Sequence, residues 1–371
     1  MRVAIIMPLA YQRGGAELAL EHVLQANRRD PQIEYTLAFL EKGPMAEEAK
    51  ALDYRVQVFD AGRLRQLHKY TQTVLALVTW LRRERVRLAM SWLTKAHLYV
   101  APAAAMARLP AVWWQWGMPE ADWLNRWATR LPARAVFCCS EATQQDQQTL
   151  YPSRPTRVIY PSVDLERFNP ERLPSPTQAR SKLGLPIRGP LVGILARFQR
   201  WKGLDVFLEA AARVAQVHSE ARFVILGGPH FSEPDYPDEL TKLARRAGIS
   251  DKVRFAGHQK EVPLWMQALD IVVNASVKPE PFGITIIEAM ALGKAVVATR
   301  HGGPVEIISD GKDGLLVQPN DAAEMADAIA SLVEHASLRE AIGRTGRQRA
   351  QQFSVNRFAP ELARHLAEVV R

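Results

Sequence analysis

Two glutamates, Glu280 and Glu288, stand eight residues apart on either side of a turn and the start of an apolar helix. The segment reads EPFGITIIEAMALG, and the proline and glycine after Glu280 make a regular strand unfavourable there. The backbone amides of Phe282, Gly283 and Ile284 would then be donors at a helix N-terminus, which favours an anion such as phosphate. Glu288, about one turn further on, suits the hydroxyls of a ribose diol.

A carboxylate, a phosphate site and a second carboxylate, in that order, match the parts of a nucleotide sugar. Glu280 would accept hydrogen bonds from sugar hydroxyls, and Glu288 would hold the ribose. Two other interpretations fit the same spacing. The glutamates could be a loop residue and a solvated helix residue, or the two carboxyl groups of a glycosidase, which lie about 5 to 9.5 Å apart.

Two cations help to distinguish these interpretations. Arg197 and Lys202 belong to the segment ARFQRWKG, which directly follows the first apolar strand of the second half. At the carboxyl end of that strand they would neutralise the charge that develops on a departing diphosphate. A glycosidase has less use for them, although surface charge beside a helix start would give the same pattern.

Gly14 and Gly15 open a predicted helix after the first strand, at a second N-terminus suited to phosphate or sugar. The pair is not a GxGxxG fingerprint. A nicotinamide-dependent dehydrogenase is therefore disfavoured.

Short apolar runs alternate with helical segments along the chain, which predicts parallel sheets with right-handed crossovers. The strands predicted in the second half are 191–195, 222–226, 253–256, 271–274, 295–299 and 314–317. Proline and glycine interrupt the series once, before the second half begins. The sequence therefore predicts an α/β protein with domains at residues 1–170 and 190–354, joined by a linker at 171–189. Two facing, doubly wound sheets would bind ligands beyond the carboxyl ends of their strands, in a cleft.

The composition limits the cellular setting. The chain has 371 residues, a formal charge of +9 and two adjacent cysteines, Cys138 and Cys139. Cysteines without zinc or disulfide spacing fit a reducing cytoplasm, and no apolar run reaches the ~18 residues of a membrane span. The N-terminal MRVAIIMPLA lacks a signal-peptide cleavage site and predicts a buried first strand.

The positive charge favours an anionic partner. Nucleic acid is disfavoured because the sequence has no zinc finger, RNA-recognition signature or basic-aromatic platform. The basic stretches at residues 63–69 and 82–87 fit two solvated helix faces, peripheral contact with the inner face of an anionic membrane, or an acidic acceptor. All three interpretations stay open at this point.

In order along the chain, RGGAE, ARFQRWKG, FAGH, PEPFGITIIEAMALGKAVVATRHGGPVEII and DGLLVQP resemble the retaining nucleotide-sugar glycosyltransferases of family four. The resemblance is strongest over residues 191–319 and weaker in the first half. It implies the GT-B fold, in which two Rossmann-like, doubly wound domains face a central cleft. It also implies a UDP-, GDP- or ADP-linked sugar as donor, a hydroxyl acceptor at the first domain, and no metal or other cofactor.

The resemblance assigns roles to residues at matching positions. Glu280, Arg197 and Lys202 would be catalytic, because the glutamate binds donor-sugar hydroxyls and the cations stabilise the departing diphosphate. Retention without an evident nucleophile implies front-face displacement, in which a leaving-group oxygen takes the acceptor proton. The full set of implied donor contacts is Gly14, Gly15, Arg197, Lys202, Gly257, His258, Glu280, Phe282, Gly283, Ile284, Thr285 and Glu288.

One position departs from the family pattern. The family often has a histidine near the donor sugar after the fifth strand of the first half, and the segment AVWWQWGMPE has Trp116 there. Gln115 or His97 could replace that histidine as a sugar or acceptor contact. The tryptophans of this segment could form core and cleft wall, or an aromatic floor for an acceptor.

Two further expectations follow from the family. The C-terminal helix, at about residues 355–371, would return to the first domain, with Pro360 at its start or at a kink. The same donor site would also serve a sugar-nucleotide epimerase or hydrolase. A catalytically silent sugar-nucleotide or membrane-binding protein is a third alternative.

Overall fold

The computed structural model describes residues 1–11, 14–120 and 122–370. The chain forms two compact units, Met1–Ser162 with Val355–Arg371, and Val163–Ser354. Each unit has one parallel sheet with helices packed against it. The predicted fold class, two doubly wound α/β domains, is confirmed.

The first unit begins with a series of strands and helices that alternate along the chain. Its strands are β1 (Arg2–Met7), β2 (Glu34–Phe39), β3 (Arg55–Val58), β4 (Leu88–Trp92), β5 (Ala111–Gln115), β6 (Ala135–Cys138) and β7 (Thr156–Val158). Its helices here are α1 (Gly15–Arg29), α2 (Pro44–Ala51), α3 (Leu67–Arg83), α4 (Leu93–Ala107), α5 (Trp123–Arg130) and α6 (Glu141–Leu150). Neighbouring strands pair in parallel in the order β3-β2-β1-β4-β5-β6-β7.

The central strands of this sheet are mostly apolar rather than alternating. Every residue of β4 (LAMSW) and β5 (AVWWQ) is buried, as in a sheet covered by helices on both faces. The bulky side chains of Trp92, Trp113 and Trp114 fill this core.

The second unit repeats the architecture with six strands. Its strands are β8 (Leu191–Leu195), β9 (Arg222–Leu226), β10 (Val253–Gly257), β11 (Ile271–Asn274), β12 (Ala295–Thr299) and β13 (Leu315–Val317), in the order β10-β9-β8-β11-β12-β13. Its helices are α7 (Pro176–Leu183), α8 (Leu204–Val217), α9 (Tyr236–Arg246), α10 (Val262–Ala268), α11 (Ile284–Ala291), α12 (Pro304–Ile307), α13 (Ala322–Glu334) and α14 (Ala336–Ala350), with short 3-10 turns at Arg200–Lys202 and Gln351–Phe353. The predicted strands of this half match within one residue.

The predicted linker at 171–189 needs correction, because it contains α7 and belongs to the second unit. Its prolines and glycines mark the ends of a helix rather than a flexible segment. The Ser175 side chain accepts a hydrogen bond from the Gln178 amide at the N-terminus of α7, and Gly184 ends the helix with a φ of 60°. The division between the units lies after Ser162, not after residue 170.

The chain returns to the first unit through α15 (Val355–Val370), which packs against α1. Phe358 of α15 lies 5.8 Å from the ring of Trp114, and Glu368 pairs with Arg157. Pro360 lies inside this helix, after its first turn.

Candidate functional site

Predicted site residues of the second unit follow strands that end at one edge of its sheet. Arg197 follows β8 and Glu280 follows β11, and Gly302, which was not among the predicted residues, follows β12. The carboxyl ends of parallel strands meet at the same edge, which is where ligands bind in such sheets. The structure brings two of the predicted residues into contact: Lys202 Nζ lies 2.6 Å from Glu280 Oε2.

The Glu280 carboxylate is buried and held by three side chains. Its Oε2 accepts hydrogen bonds from Lys202 Nζ and Ser276 Oγ, both at 2.6 Å, and from Asn274 Nδ2 at 3.4 Å. Burial alone would raise the pKa of Glu280, but the charge of Lys202 and these hydrogen bonds outweigh it and hold that pKa below its usual range. The site therefore contains an ionised carboxylate with its position fixed.

Asn274 and Ser276 were missed by the sequence analysis. Asn274 ends β11 and Ser276 follows it, so the signal in the sequence is their position at the carboxyl end of a buried strand. Their donors replace the water that an ionised carboxylate would otherwise need when buried.

The backbone of Glu280 is clamped to the loop after β12. The Gly303 amide donates to the Glu280 carbonyl at 2.8 Å, and the Glu280 amide donates to the His301 carbonyl at 3.3 Å. Gly302 has a φ of 75°, and a Cβ there would lie 2.4 Å from the Glu280 carbonyl oxygen. Only glycine fits this position without a shift of Glu280.

The cations of the site differ in exposure. Lys202 lies in the 3-10 turn with its Nζ 3.9 Å from the ring centroid of Trp201, and it is mostly buried. Arg197 is exposed, and it lies close enough for its charge to act on Lys202. One fixed cation therefore contacts the carboxylate, and a solvated cation lies near that lysine.

The turn after Glu280 leads into α11 as predicted from the sequence. Gly283 precedes the helix with a φ of 108°, a conformation that favours glycine. Ile284 begins the helix and Thr285 follows it, both partly exposed, while Phe282 is buried against Phe353. The first amides of a helix have no acceptor within the helix, so this end can receive an anion.

Glu288 lies on the second turn of α11 and is 5% exposed. Burial raises the pKa of Glu288 to about 8, although the positive charge of Arg167 opposes this shift. At neutral pH this carboxyl group is therefore largely protonated, and it can both donate and accept hydrogen bonds. The two glutamates of the motif thus have opposite protonation states.

Gly257 and His258 lie at the end of β10, two strands beyond β8 at the same edge. Gly257 has a φ of 69°, and its carbonyl accepts a hydrogen bond from the Gly227 amide at 3.0 Å. His258 is exposed. The Gly227 turn after β9, which the sequence analysis did not select, therefore lies between these residues and the cations.

In the first unit, Gly14 precedes α1 and Gly15 begins it. The Gly14 amide donates to Glu17 Oε2 at 2.7 Å, so this helix N-terminus is capped by its own side chain. Arg13 of the RGGAE motif lies outside the described residues.

His97 is fully buried, which corrects the expectation that it could contact a sugar. Its Nδ1 lies 2.9 Å from Ser91 Oγ, and its ring stacks on Trp113 with centroids 4.9 Å apart. Burial, with a smaller effect of the Arg154 charge, lowers the pKa of His97 to about 3. The sequence shows a histidine in this segment, but it does not predict that its side chain lies on the buried face of α4.

Gln115 is also buried, and its Oε1 accepts hydrogen bonds from Thr94 Oγ1 and the Gly117 amide at 3.3 Å. Trp116 is 7% exposed and stacks on Trp92 with ring centroids 5.4 Å apart. The structure therefore favours core packing over an open aromatic floor. Trp116 Nε1 has no hydrogen-bond partner among the described residues.

The described residues contain no group of three or more histidines, cysteines or acids that could hold a metal ion. Within the same ranges, every helix is too short or too polar to cross a membrane. Cys138 and Cys139 are buried and form no disulfide in this part of the chain.

Two family models match the chain, one in each half. The model described as "Glycosyltransferase Family 4" matches residues 13–167. The model described as "Glycosyl transferases group 1" matches residues 176–349 and covers the Glu280 site. The chain belongs to glycosyltransferase family 4. The resemblance seen in the motifs is therefore confirmed.

A curated relative of this family 4 chain is the D-inositol 3-phosphate glycosyltransferase of Corynebacterium urealyticum. It is 35% identical over 236 residues, which are 62% of this chain and 55% of the relative. The chain spans about half the length of the curated relatives it matches.

Solved structures resemble the family 4 chain over nearly its whole length. Anabaena HepE in complex with UDP-glucose matches 99% of this chain and 100% of its own, with a TM-score of 0.86 and 26% identity. A glycosyltransferase from Rickettsia africae matches with a TM-score of 0.88 over 100% of this chain and 98% of its own, at 19% identity, which shows the fold alone. The two units are those of the GT-B fold.

Proposed function

We propose that this protein is a retaining glycosyltransferase that moves a sugar from a nucleotide sugar to a hydroxyl acceptor without a metal. The observation that carries the proposal is the buried, ionised Glu280 beside Lys202 and the N-terminus of α11. Family membership and the UDP-glucose bound by Anabaena HepE support the same conclusion. UDP-glucose is therefore the first donor to test, before GDP- and ADP-sugars.

Glu280 would bind the donor sugar through its second oxygen. The three described donors all contact Oε2, and no hydrogen bond to Oε1 is found among the described residues. Oε1 is thus the atom that would accept from sugar hydroxyls. Because the carboxylate is already fixed and desolvated, it would orient the sugar with little reorganisation.

Arg197 and Lys202 would stabilise the departing diphosphate, with the first amides of α11 as further donors. Glu288 would bind the ribose hydroxyls, and Gly257 and His258 would border the base. In the transfer step, the acceptor oxygen bonds to the anomeric carbon on the face from which the phosphate oxygen departs. The acceptor proton passes to that phosphate oxygen, so the anomeric configuration is retained.

The second unit would bind the donor, and the first unit would bind the acceptor. Such a division leaves acceptor choice to first-unit loops, among them the segment after β5 that contains Trp116. We also propose a cytoplasmic enzyme that contacts an anionic membrane through the stretch before α3. Arg63 and Arg65 of this stretch are exposed, and so is Leu67 at the start of α3, a basic and apolar combination suited to a lipid surface.

Turnover tests the proposed function. The purified protein is incubated with UDP-, GDP- and ADP-sugars and a panel of hydroxyl acceptors, and nucleotide release and product configuration are measured. Acceptor-dependent release with a retained anomeric bond supports the transferase. Release without any acceptor indicates a hydrolase, and binding without release indicates a silent sugar-nucleotide protein.

The membrane contact is tested separately by sedimentation with phosphatidylglycerol vesicles. Binding should weaken when Arg63 and Arg65 are both changed to Gln, and added salt should weaken it too. Equal binding by the variant, or no binding by the wild type, would contradict this part of the proposal.

A further inference from the structure

A cavity of about 510 Å³ opens on the first unit at the amino ends of β5 and β6. The last turn of α4, residues 109–111 before and into β5, and residues 132–134 before β6 form its walls. The amino ends of parallel strands lie at the edge opposite their carboxyl ends. The cavity therefore shares no residue with the proposed donor or acceptor sites.

Three arginines border this cavity: Arg108, Arg134 and Arg154. None of the described residues that line it is acidic. Arg108 and Arg134 are exposed, and their side chains have no hydrogen bond or ion pair with a described residue. By contrast, Arg55 and Arg83 of the same unit both pair with Glu84.

Arg154 is fixed in place without a counterion. Its Nη1 donates to the Ala133 carbonyl at 2.6 Å, and its Nη2 donates to the Thr129 and Leu131 carbonyls at 3.0 Å. These carbonyls orient the guanidinium but leave its net positive charge unbalanced. A fixed cation with two solvated cations beside it is an arrangement that an anion would stabilise.

We propose that this cavity binds a phosphate group carried by a small organic molecule or by a lipid. Guanidinium forks match phosphate oxygens with paired hydrogen bonds, which lysine cannot reproduce. The remaining wall is apolar, with Ala104, Leu109 and Pro110, and would contact the organic part of the ligand. The volume lies within the range of about 300–1,000 Å³ that is usual for small-molecule sites.

Calorimetric titration with inorganic pyrophosphate tests the site. The titration uses an Arg197→Gln background, so that phosphate binding at the proposed donor site is weakened. Arg108→Asn, which tolerates the left-handed backbone at this position, and Arg134→Gln should each weaken binding by about tenfold or more. Arg29→Gln, another exposed arginine at this edge, should leave it unchanged.

A second arm uses phosphatidylglycerol vesicles with the same variants. Pyrophosphate binding that depends on Arg108 and Arg134 supports a soluble phosphate ligand, and dependence seen only with vesicles supports a lipid headgroup. Binding of neither probe, or binding that both substitutions leave unchanged in folded protein, overturns the proposal. Sugar transfer by Arg108→Asn and Arg134→Gln should equal that of the wild type, so this result is independent of the proposed function.

Discussion

The pKa values of two glutamates in one short motif, Glu280 and Glu288, are shifted in opposite directions by their surroundings. Glu280 is ionised because Lys202, Ser276 and Asn274 outweigh its burial. Glu288, equally buried, has only a nearby arginine charge to oppose desolvation, and its pKa rises to about 8. The sequence predicted both residues at a ligand site, but it could not predict these charges, since they depend on neighbours brought together by folding.

Glu280→Gln should lower the rate of sugar transfer by about 10²–10³-fold. The amide keeps the size of the side chain but removes the negative charge and leaves the buried Lys202 without its counterion, which should also reduce stability. The assay compares kcat of folded variant and wild type at saturating donor. Glu340→Gln, an exposed glutamate of α14, is the control, and an unchanged kcat for Glu280→Gln would contradict the role of Glu280.

As the pH rises, the free energy of unfolding of the Glu288→Gln variant should increase relative to that of the wild type. Between the usual pKa of 4.5 and the folded value of about 8, folded Glu288 holds a proton that the unfolded chain has lost. Wild-type stability from this group is thus complete below the lower pKa and falls by about 1.4 kcal/mol per pH unit up to the folded pKa. Glutamine does not titrate and removes this slope.

Urea unfolding of both proteins from about pH 5 to about pH 7.5 measures the difference in slope. Nucleotide binding by Glu288→Gln should weaken at the same time, because the amide nitrogen, unlike either carboxyl oxygen, cannot accept a hydrogen bond from a ribose hydroxyl. Parallel pH curves for the two proteins would show that Glu288 is not held protonated by burial.

At the scale of elements, the order of strands and helices was predictable because buried parallel strands are continuously apolar. The second-half strands match closely for this reason, and the turn and helix at Gly283–Ala291 follow from local glycine and apolar spacing. The linker prediction was wrong because proline and glycine also mark the ends of helices, as Gly184 does for α7. The prediction of a sugar contact for His97 was wrong because its burial depends on which face of α4 packs against the sheet.

The loop after β12 should tolerate no side chain at Gly302. Gly302→Ala adds a Cβ that would lie 2.4 Å from the Glu280 carbonyl oxygen, so both stability and transfer rate should fall. Gly311→Ala is the matched control, because its φ of 74° is nearly the same but no atom lies within 4 Å of its Cβ.

Both variants bear the cost of a left-handed alanine, about 1–3 kcal/mol, and only Gly302→Ala should lose more than this together with activity. Thermal unfolding and kcat measure the two effects. Equal losses in the two variants would show that the contact with Glu280 is unimportant.

At the scale of the whole molecule, the chain completes its first unit only with its last helix. Phe358 of α15 is buried and contacts Trp114 in the aromatic core of the first unit. The family resemblance predicted that the C-terminal helix returns to the first unit. The spacing of apolar residues alone predicts a helix, but not the unit against which it packs.

Phe358→Ala should destabilise the first unit by about 3–5 kcal/mol, because it leaves a cavity beside Trp114. Urea unfolding followed by tryptophan fluorescence measures the loss. Arg357→Ala, which changes an exposed neighbour in the same helix, should have little effect. Equal stability of the two variants would contradict the packing of α15 described above.

The most direct test of the central claim is calorimetric titration of UDP-glucose, UDP and uridine into wild type, Arg197→Gln and Arg188→Gln. Arg197 is exposed, so its loss should not disturb the fold, and Arg188 is an exposed arginine of the same unit. The donor-site assignment predicts that Arg197→Gln weakens UDP-glucose and UDP by about tenfold or more but leaves uridine unchanged, since only the diphosphate contacts the guanidinium. Binding of UDP-glucose with unaltered affinity by Arg197→Gln, or no binding of any nucleotide sugar by folded wild type, would contradict it.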